Sequence, residues 1–149
     1  MHASAAKMTV AELGAFLARE FPQGFGPGTP HEIEAVGPGT ARVRLTARDA
    51  QLRPGGTVSG PAMMALCDAA MYVAILAMIG PVALAVTTNL SINFLRKPEP
   101  GDLIADCKLL KLGKRLAVGE VAVHAASSDE LVAHCVATYS IPPEKGDLA

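Results

Sequence analysis

The chain has 149 residues, half of them hydrophobic and only 4% aromatic, with thirteen basic and fourteen acidic side chains. A net charge of −1 excludes the overall positive field with which proteins attract nucleic acid or anionic membranes. The length fits one domain over residues 1–149, and three distant cysteines without CxxC spacing favour neither a disulfide framework nor a zinc site.

The first 30 residues predict a short helix followed by a loop. Thr9 is a favourable N-cap, and an apolar stripe marks a helix over residues 10–21. Residues 22–30 are rich in Gly and Pro and indicate a loop. Residues 1–7 are not followed by the apolar core of a signal peptide, so we expect a cytoplasmic protein.

A hairpin and a long helix are predicted next. Residues 31–36 and 40–48 have the composition of strands, and the segment between them, Gly-Pro-Gly, is typical of a turn. Breakers at residues 53–56 precede a long apolar segment whose end is marked by Gly80 and Pro81. The segment therefore predicts one helix with both boundaries in the sequence.

Asp68 is the only charged side chain between Arg53 and Arg96, and it lies inside the apolar run over residues 61–79. The run is long enough to cross a membrane, but Asp68, Tyr72 and the lack of a basic flank favour a buried central helix. A carboxylate in such a helix is costly to bury unless it is protonated, hydrogen-bonded or functional. Asp68 is therefore either a functional residue or a structural one bonded to a hydroxyl such as that of Thr87 or Ser59.

The rest of the chain predicts an antiparallel sheet. Four segments have the composition of strands: residues 82–95, 102–112, 116–126 and 131–141. Between residues 117 and 124 a drier and a wetter face alternate. Long strands with one buried helix indicate an α+β domain, in which a curved sheet wraps the helix over a core of residues 31–142. Residues 143–149 are expected to form a loose tail.

The segment over residues 53–68 reads RPGGTVSGPAMMALCD. It resembles the N-x5-H-G-G-x6-D motif of hotdog-fold acyl-CoA thioesterases of the phenylacetate-pathway type, whose last Asp lies on the central helix. The resemblance extends to residues 93–98, to the turn at 100–102 and to the hairpin at 111–114, and it covers residues 31–142. It implies the hotdog fold and hydrolysis of a small or medium acyl-CoA.

The resemblance also implies site residues. Asp68 matches the catalytic carboxylate, which would activate water or attack the thioester, and Gly60 matches the glycine whose amide polarises the carbonyl. Thr87, or Thr88 if the match slips by one residue, would position water. Ser59 replaces the usual His and Arg53 the usual Asn, so Arg53 and Ser59 are candidate substrate-binding residues in an altered site.

A helix start with a capping serine also has an ordinary explanation. The unpaired amides and partial positive charge there suit a developing oxyanion, but Ser59 and Gly60 could equally form a simple cap. Lys111, Lys114 and Arg115 match a region that approaches the phosphates of coenzyme A in the resembling enzymes. They could equally be the solvated residues of a turn.

Spacing along the helix favours a homodimer. Asp68 lies eight residues beyond Gly60, or about 12 Å along the axis, so one helix cannot bring both to one carbonyl. In the resembling family the glycine of one subunit faces the carboxylate of the other. We therefore expect a homodimer with two interfacial sites, either alone or paired into a homotetramer.

Two further functions remain open at this stage. The departures at Ser59 and Arg53 suit a non-catalytic acyl-CoA-binding protein, whereas a hydratase is disfavoured because no Asp/His pair lies at that family's spacing. No metal or redox cofactor is expected, and His124 and His134 are interpreted as hydrogen-bonded strand residues. We expect coenzyme A only as part of the substrate, and neither nucleic acid nor a membrane as a partner.

Overall fold

A computed structural model describes residues 5–143. The elements are, in chain order, α1 (Val10–Glu20), α2 (Pro22–Phe25), β1 (His31–Gly37), β2 (Thr40–Leu45), α3 (Gly60–Ile79), β3 (Val86–Phe94), β4 (Leu103–Leu112), β5 (Leu116–Ala125) and β6 (Leu131–Ser140), with a 3₁₀ turn at Asp49–Gln51. Residues 144–149 of the expected tail lie outside the described residues.

The six strands form one antiparallel sheet in the order β1-β2-β4-β5-β6-β3, and all six contact α3. Along β5 the residues from Ala117 to Ala125 on the predicted drier face are buried against the core, and the alternate residues are only partly covered. The α+β hotdog architecture expected from the sequence, a sheet wrapped around one long helix, is confirmed.

Helix α3 lies at the centre of the core. Thirteen of its twenty residues are buried, which accounts for a mean hydropathy of 2.0 over its most apolar window. It is long and apolar enough to cross a membrane, but 72% of that window is covered by the rest of the fold. This is the core helix of a soluble-type fold, as the isolated charge and the absent basic flank predict.

Helix α1 begins and ends where the sequence indicates. The Thr9 hydroxyl accepts from the Glu12 amide while the Glu12 carboxylate accepts from the Thr9 amide, which makes a capping box. Leu13, Phe16 and Leu17 are buried against the core. The helix therefore anchors the segment that follows it.

Three expectations about local structure were wrong. The predicted loop over residues 22–30 contains α2, which Pro22 starts at the first helical position. Strand β2 ends at Leu45 rather than 48, because the Ala47 amide leaves the sheet and donates to the Asp102 carboxylate at 2.9 Å. Strand β3 begins only at Val86, since the amides of Val82 and Ala85 are used in turns.

Candidate active site

A cavity of about 750 Å³ lies between α3, the start of β3 and the corner between α1 and α2. The α3 residues that line it are Ala65, Asp68, Ala69 and Tyr72, which share one face because they are three or four residues apart. Two of the four are alanines, so the helix leaves room on this face. Asp68 is half-buried and lies in the wall of the cavity.

Two hydroxyl groups hold the Asp68 carboxylate. Thr87 Oγ1 donates to Asp68 Oδ1 at 2.5 Å, and Tyr139 Oη donates to the same oxygen at 2.7 Å. Within residues 5–143 no hydrogen bond to Oδ2 is found. The carboxylate is therefore fixed through one oxygen, and the other remains able to act on a bound molecule.

Thr87 rather than Thr88 reaches Asp68. The pairing of β3 with β6 shifts register between Thr87 and Asn89, and Thr88 Oγ1 donates to the Thr138 carbonyl at 3.2 Å. The structure therefore places Thr87 at the site and Thr88 in a sheet contact. Adjacent residues of a strand point to opposite faces unless a bulge intervenes. The sequence left the choice open because it does not show where the register shifts.

Tyr139 is the main residue of the site that sequence reasoning missed. It is buried on β6, and burial together with the Asp68 charge raises the pKa of its hydroxyl well above the ordinary value. The group is therefore a stable neutral donor. A weak signal was present, because a Tyr on the dry face of a strand requires a hydrogen-bond partner.

The start of α3 lines a second cavity, of about 430 Å³. Gly60 lies there with three basic residues, Arg53, Arg96 and Lys97, and with the ring of Phe94. Thr57, only 2% exposed, is a further lining residue, and its hydroxyl has no hydrogen-bond partner within the described chain. The sequence singled out Arg53 and Gly60 but not the buried hydroxyl beside them.

One amide of the first turn of α3 has no bond. Ser59 Oγ accepts from the Ala62 amide at 3.3 Å, and the Ser59 carbonyl accepts from the Met63 amide. Pro61 has no N–H. The Gly60 amide is the remaining one, and no hydrogen bond from it is found among residues 5–143. Ser59 is therefore the cap of the helix, and Gly60 keeps a free donor at its positive end.

Gly60 and Asp68 line different cavities of the same chain. Lys111, Lys114 and Arg115 line neither of these two cavities; they lie at the hairpin between β4 and β5, where Arg115 donates to the Ile141 carbonyl at 3.0 Å. Of the basic residues predicted to meet substrate, only Arg53 therefore lies beside Gly60. The two neighbouring cations, Arg96 and Lys97, were not among the substrate-binding residues predicted from the sequence.

Aromatic side chains gather around the Asp68 cavity although they are scarce in the chain. Four of the six Phe and Tyr residues line it: Phe21, Phe25, Tyr72 and Tyr139. Their rings form a chain of contacts, with centroids 6.0–6.2 Å apart. The sequence did not indicate this grouping, because Phe21 lies between α1 and α2 and the other three residues belong to α2, α3 and β6.

Two histidines on the outer face of the sheet, interpreted from the sequence as hydrogen-bonded, do make such bonds. His134 Nε2 lies 3.2 Å from Glu120 Oε2, and His124 Nδ1 lies 2.8 Å from the Ala125 carbonyl oxygen. Across residues 5–143 no cluster of three His, Cys, Asp or Glu side chains could hold a metal ion.

A family comparison decides what kind of protein has this geometry. Residues 55–132, which include α3, Asp68 and Thr87, match the model of the thioesterase superfamily. The chain belongs to the thioesterase superfamily. Membership confirms the expectation of a thioester hydrolase with the hotdog fold.

Solved structures and a curated relative agree with this membership of the thioesterase superfamily. A crystal structure from Silicibacter sp. TM1040, described as a candidate thioesterase, is 45% identical, with a TM-score of 0.84 over 93% of this chain and 94% of that one. A phenylacetic acid degradation-related protein from Ralstonia eutropha JMP134 is 26% identical, with a TM-score of 0.71 over 85% and 98%. A candidate esterase of Thermoplasma acidophilum is 25% identical over 118 residues, 79% of this chain and 88% of that protein.

Proposed function

We propose that this protein hydrolyses the thioester of a small or medium acyl-CoA, with Asp68 as the catalytic carboxylate. The observation that supports this most directly is the way Asp68 is held. Thr87 and Tyr139 bond one carboxylate oxygen, and the other has no bond within residues 5–143, in a cavity large enough for an acyl group. Asp68 lines this cavity, so a molecule bound there can reach its carboxylate.

Asp68 Oδ2 can act in either of two ways. As a general base it takes a proton from water, whose oxygen then attacks the thioester carbon; as a nucleophile it attacks that carbon directly. Either attack produces a tetrahedral oxyanion, which collapses with loss of the coenzyme A thiolate. In the second route water then hydrolyses the acyl-Asp68 anhydride to the acid.

The free Gly60 amide is the proposed donor to the oxyanion. A preorganised backbone amide at a helix start stabilises negative charge that develops on a carbonyl oxygen. Because Gly60 and Asp68 of one chain are about 12 Å apart along α3, we propose that a partner subunit supplies this amide. Strand β3, which carries Thr87, is an edge strand of the sheet, and the exposed Leu84, Val86 and Phe94 at its two ends favour self-association there.

Arg53, Arg96 and Lys97 are the proposed contacts for the phosphates of coenzyme A. Basic side chains around a helix start attract phosphate by charge and by hydrogen bonding. Lys111, Lys114 and Arg115 lie at a separate hairpin. They remain candidates for binding the nucleotide part of coenzyme A, farther from the thioester. The proposed reaction uses these side chains without a metal or redox cofactor.

Asp68→Asn tests the proposal. The wild type should release thiol from one or more straight-chain acyl-CoAs of two to ten carbons, and Asp68→Asn should lower kcat by at least about 10³-fold with a smaller effect on KM. Tyr139→Phe and Thr87→Val each remove one donor with little change in shape, and should lower kcat by about tenfold. Single turnover in ¹⁸O water tests the nucleophilic route, since ¹⁸O enters Asp68 only if Asp68 has formed the anhydride and water then attacks the Asp68 carbonyl carbon.

Two outcomes would contradict the proposal. If Asp68→Asn kept wild-type kcat, Asp68 would be a structural residue. If the wild type bound acyl-CoA without turnover, the protein would instead be an acyl-CoA-binding member of the fold, which the residues at Ser59 and Arg53 favour. Circular dichroism of each variant checks that a loss of activity is not a loss of folding.

A further inference from the structure

The corner between α1 and α2 forms the wall of the cavity that faces Asp68. It contributes Glu20, Phe21, Gln23, Gly24 and Phe25 to the lining. These residues precede the segment over 55–132 that matches the superfamily model. The family comparison therefore assigns them no role, and their function has to be inferred from their contacts.

Phe21 packs against the part of the cavity wall that lies one helical turn beyond Asp68 on α3. Its ring meets Tyr72 edge-on, with centroids 6.2 Å apart, and Tyr72 follows Asp68 by four residues on the same face of α3. Four residues correspond to about 6 Å along the helix axis. An acyl chain whose carbonyl is at Asp68 and which extends over Ala69 and Tyr72 therefore reaches the Phe21 ring.

The backbone that carries Phe21 is held in place. The Phe21 amide donates to the Leu17 carbonyl at 2.8 Å, and the Phe21 carbonyl accepts from the amides of Gly24 and Phe25 at 3.1 and 3.0 Å. Pro22 restricts the backbone immediately after it. At the other end of α1 the Lys7 amide donates to the Ala77 carbonyl of α3 at 2.6 Å. The corner is therefore a fixed wall rather than a loose segment.

The ring of Phe21 depends on the absence of a side chain at Gly24. A Cβ on Gly24 would lie 2.9 Å from both Cε2 and Cζ of Phe21, closer than carbon atoms approach in proteins. The ring packs against the Gly24 backbone on one side and Phe25 on another, with centroids 6.0 Å apart, and yet remains 40% exposed. It is packed into the wall but faces open space, as a residue that meets a ligand must.

We propose that Phe21, seated over Gly24, sets the upper limit of acyl length in this enzyme. The inference rests on the proposed acyl-CoA hydrolysis and adds to it the residue that determines specificity. Acyl groups that end before the ring bind without hindrance, whereas longer ones collide with it. Removal of the ring leaves its volume beside Tyr72 and Phe25 free for the end of a longer acyl chain, which is then buried against those two rings.

Chain-length profiles of Phe21→Ala and Gly24→Ala test this proposal. The measurement is kcat/KM for acetyl- to dodecanoyl-CoA in steps of two carbons, by thiol release. Each additional methylene that becomes buried improves kcat/KM about fourfold. If Phe21→Ala buries two more methylenes, its long-to-short ratio, which is kcat/KM for a long acyl-CoA divided by kcat/KM for a short one, should rise about 15-fold. Phe21→Leu should give an intermediate ratio, and Gly24→Ala, which displaces the ring, should change it by at least about threefold.

Gly14→Ala is the matched control, since it is the same substitution in α1 with no heavy atom within 4 Å of the added Cβ. The long-to-short ratio of kcat/KM in Gly14→Ala should stay within about twofold of that of the wild type. A hydrolytically active Phe21→Ala whose ratio equals that of the wild type would overturn this inference alone. A wild type that hydrolyses none of the acyl-CoAs would overturn the proposed function, and this inference with it.

Discussion

Asp68 and Tyr139 show what a single residue reveals in isolation and what it does not. Asp68 could be singled out because a lone charge in an apolar run has a large desolvation cost, which requires partners or a function. Tyr139, 71 residues later, gives only a weak signal, because a Tyr on the dry face of a strand requires a hydrogen-bond partner but the sequence does not show which. Only the fold, which brings β6 beside α3, shows that the Tyr139 hydroxyl donates to Asp68.

His31 is a second residue whose state depends on its surroundings. Its ring lies 5.9 Å from that of Phe25, and neither ring nitrogen makes a hydrogen bond within the described chain. Burial lowers the pKa of His31 below its ordinary value of 6.5, although the nearby Gly24 carbonyl and the Asp68 charge oppose the shift. The imidazole is therefore neutral at physiological pH.

A pH-dependent loss of stability follows from the lowered pKa of His31. Above pH 6.5 neither state binds a proton and His31 has no effect on the pH dependence. As the pH falls from 6.5 toward the lower folded-state pKa, the unfolded chain takes up a proton that the folded chain resists. The free energy of unfolding should therefore decrease, and below both pKa values it becomes constant with respect to this group.

Urea denaturation of the wild type and His31→Phe between pH 8 and 5 measures this effect. Phenylalanine has a similar shape and does not titrate, so the stability of the wild type relative to His31→Phe should fall on acidification. A difference that is constant over this range, or that grows in favour of the wild type, would mean that burial does not lower the His31 pKa.

At the scale of elements, β5 and α3 approach each other closely at Gly119. A Cβ on Gly119 would lie 2.6 Å from Met71 Sδ and 3.1 Å from the Lys108 carbonyl oxygen of β4. Gly119 is therefore the residue that lets the sheet lie directly on the central helix. The sequence placed it on the dry face of a strand but could not show which helix residue it meets.

Gly119→Ala should destabilise the protein through overpacking. The Met71 sulfur can move only into a filled core and the carbonyl belongs to a paired strand, so we expect a loss of about 1–3 kcal/mol in the free energy of unfolding. Gly14→Ala provides the comparison, because its Cβ meets nothing and alanine favours a helix by up to about 1 kcal/mol. Urea denaturation measures both; equal stability of Gly119→Ala and the wild type would show that the interface can relax.

The elements themselves were predictable to different degrees. Helix α1 has a capping residue and an apolar stripe with the 3.6-residue period, and α3 is an apolar run between Gly and Pro breakers, so both were located within two residues. Helix α2 has four residues between Pro and Gly breakers, and a turn this short has no periodicity to detect. Met64 of α3 is 42% exposed, and the sequence could not show which residues of this helix face outward, because apolar residues occur on all its sides.

At the scale of the whole molecule, the two parts of α3 that are proposed to act on one substrate lie apart. Asp68 and Gly60 line separate cavities, and β3 offers an unpaired edge between them. A two-fold related copy that added its own β3 to this edge would extend the sheet and bring the two α3 helices side by side. We expect each site of such a dimer to combine Asp68 of one subunit with Gly60 of the other.

Complementation between two inactive variants tests the shared site. Asp68→Asn lacks the carboxylate, and Gly60→Pro lacks the amide at a position where a helix tolerates proline. After unfolding and refolding of an equal mixture, half of the dimers are mixed and each has one intact site, so about a quarter of wild-type activity should return. Differently tagged subunits confirm that mixed dimers form; if they form without activity, each site is made within one subunit.

The sequence by itself determined the central helix and the antiparallel sheet, and it singled out Asp68 as the residue to explain. These follow from caps, periodicity and the cost of an isolated charge, all of which act between residues close in the chain. Only the tertiary structure decided which hydroxyls hold Asp68, where the scarce aromatic rings gather and which cations lie beside Gly60. Those contacts join residues far apart in the chain, and they depend on strand order and on one register shift in β3, which no local pattern encodes.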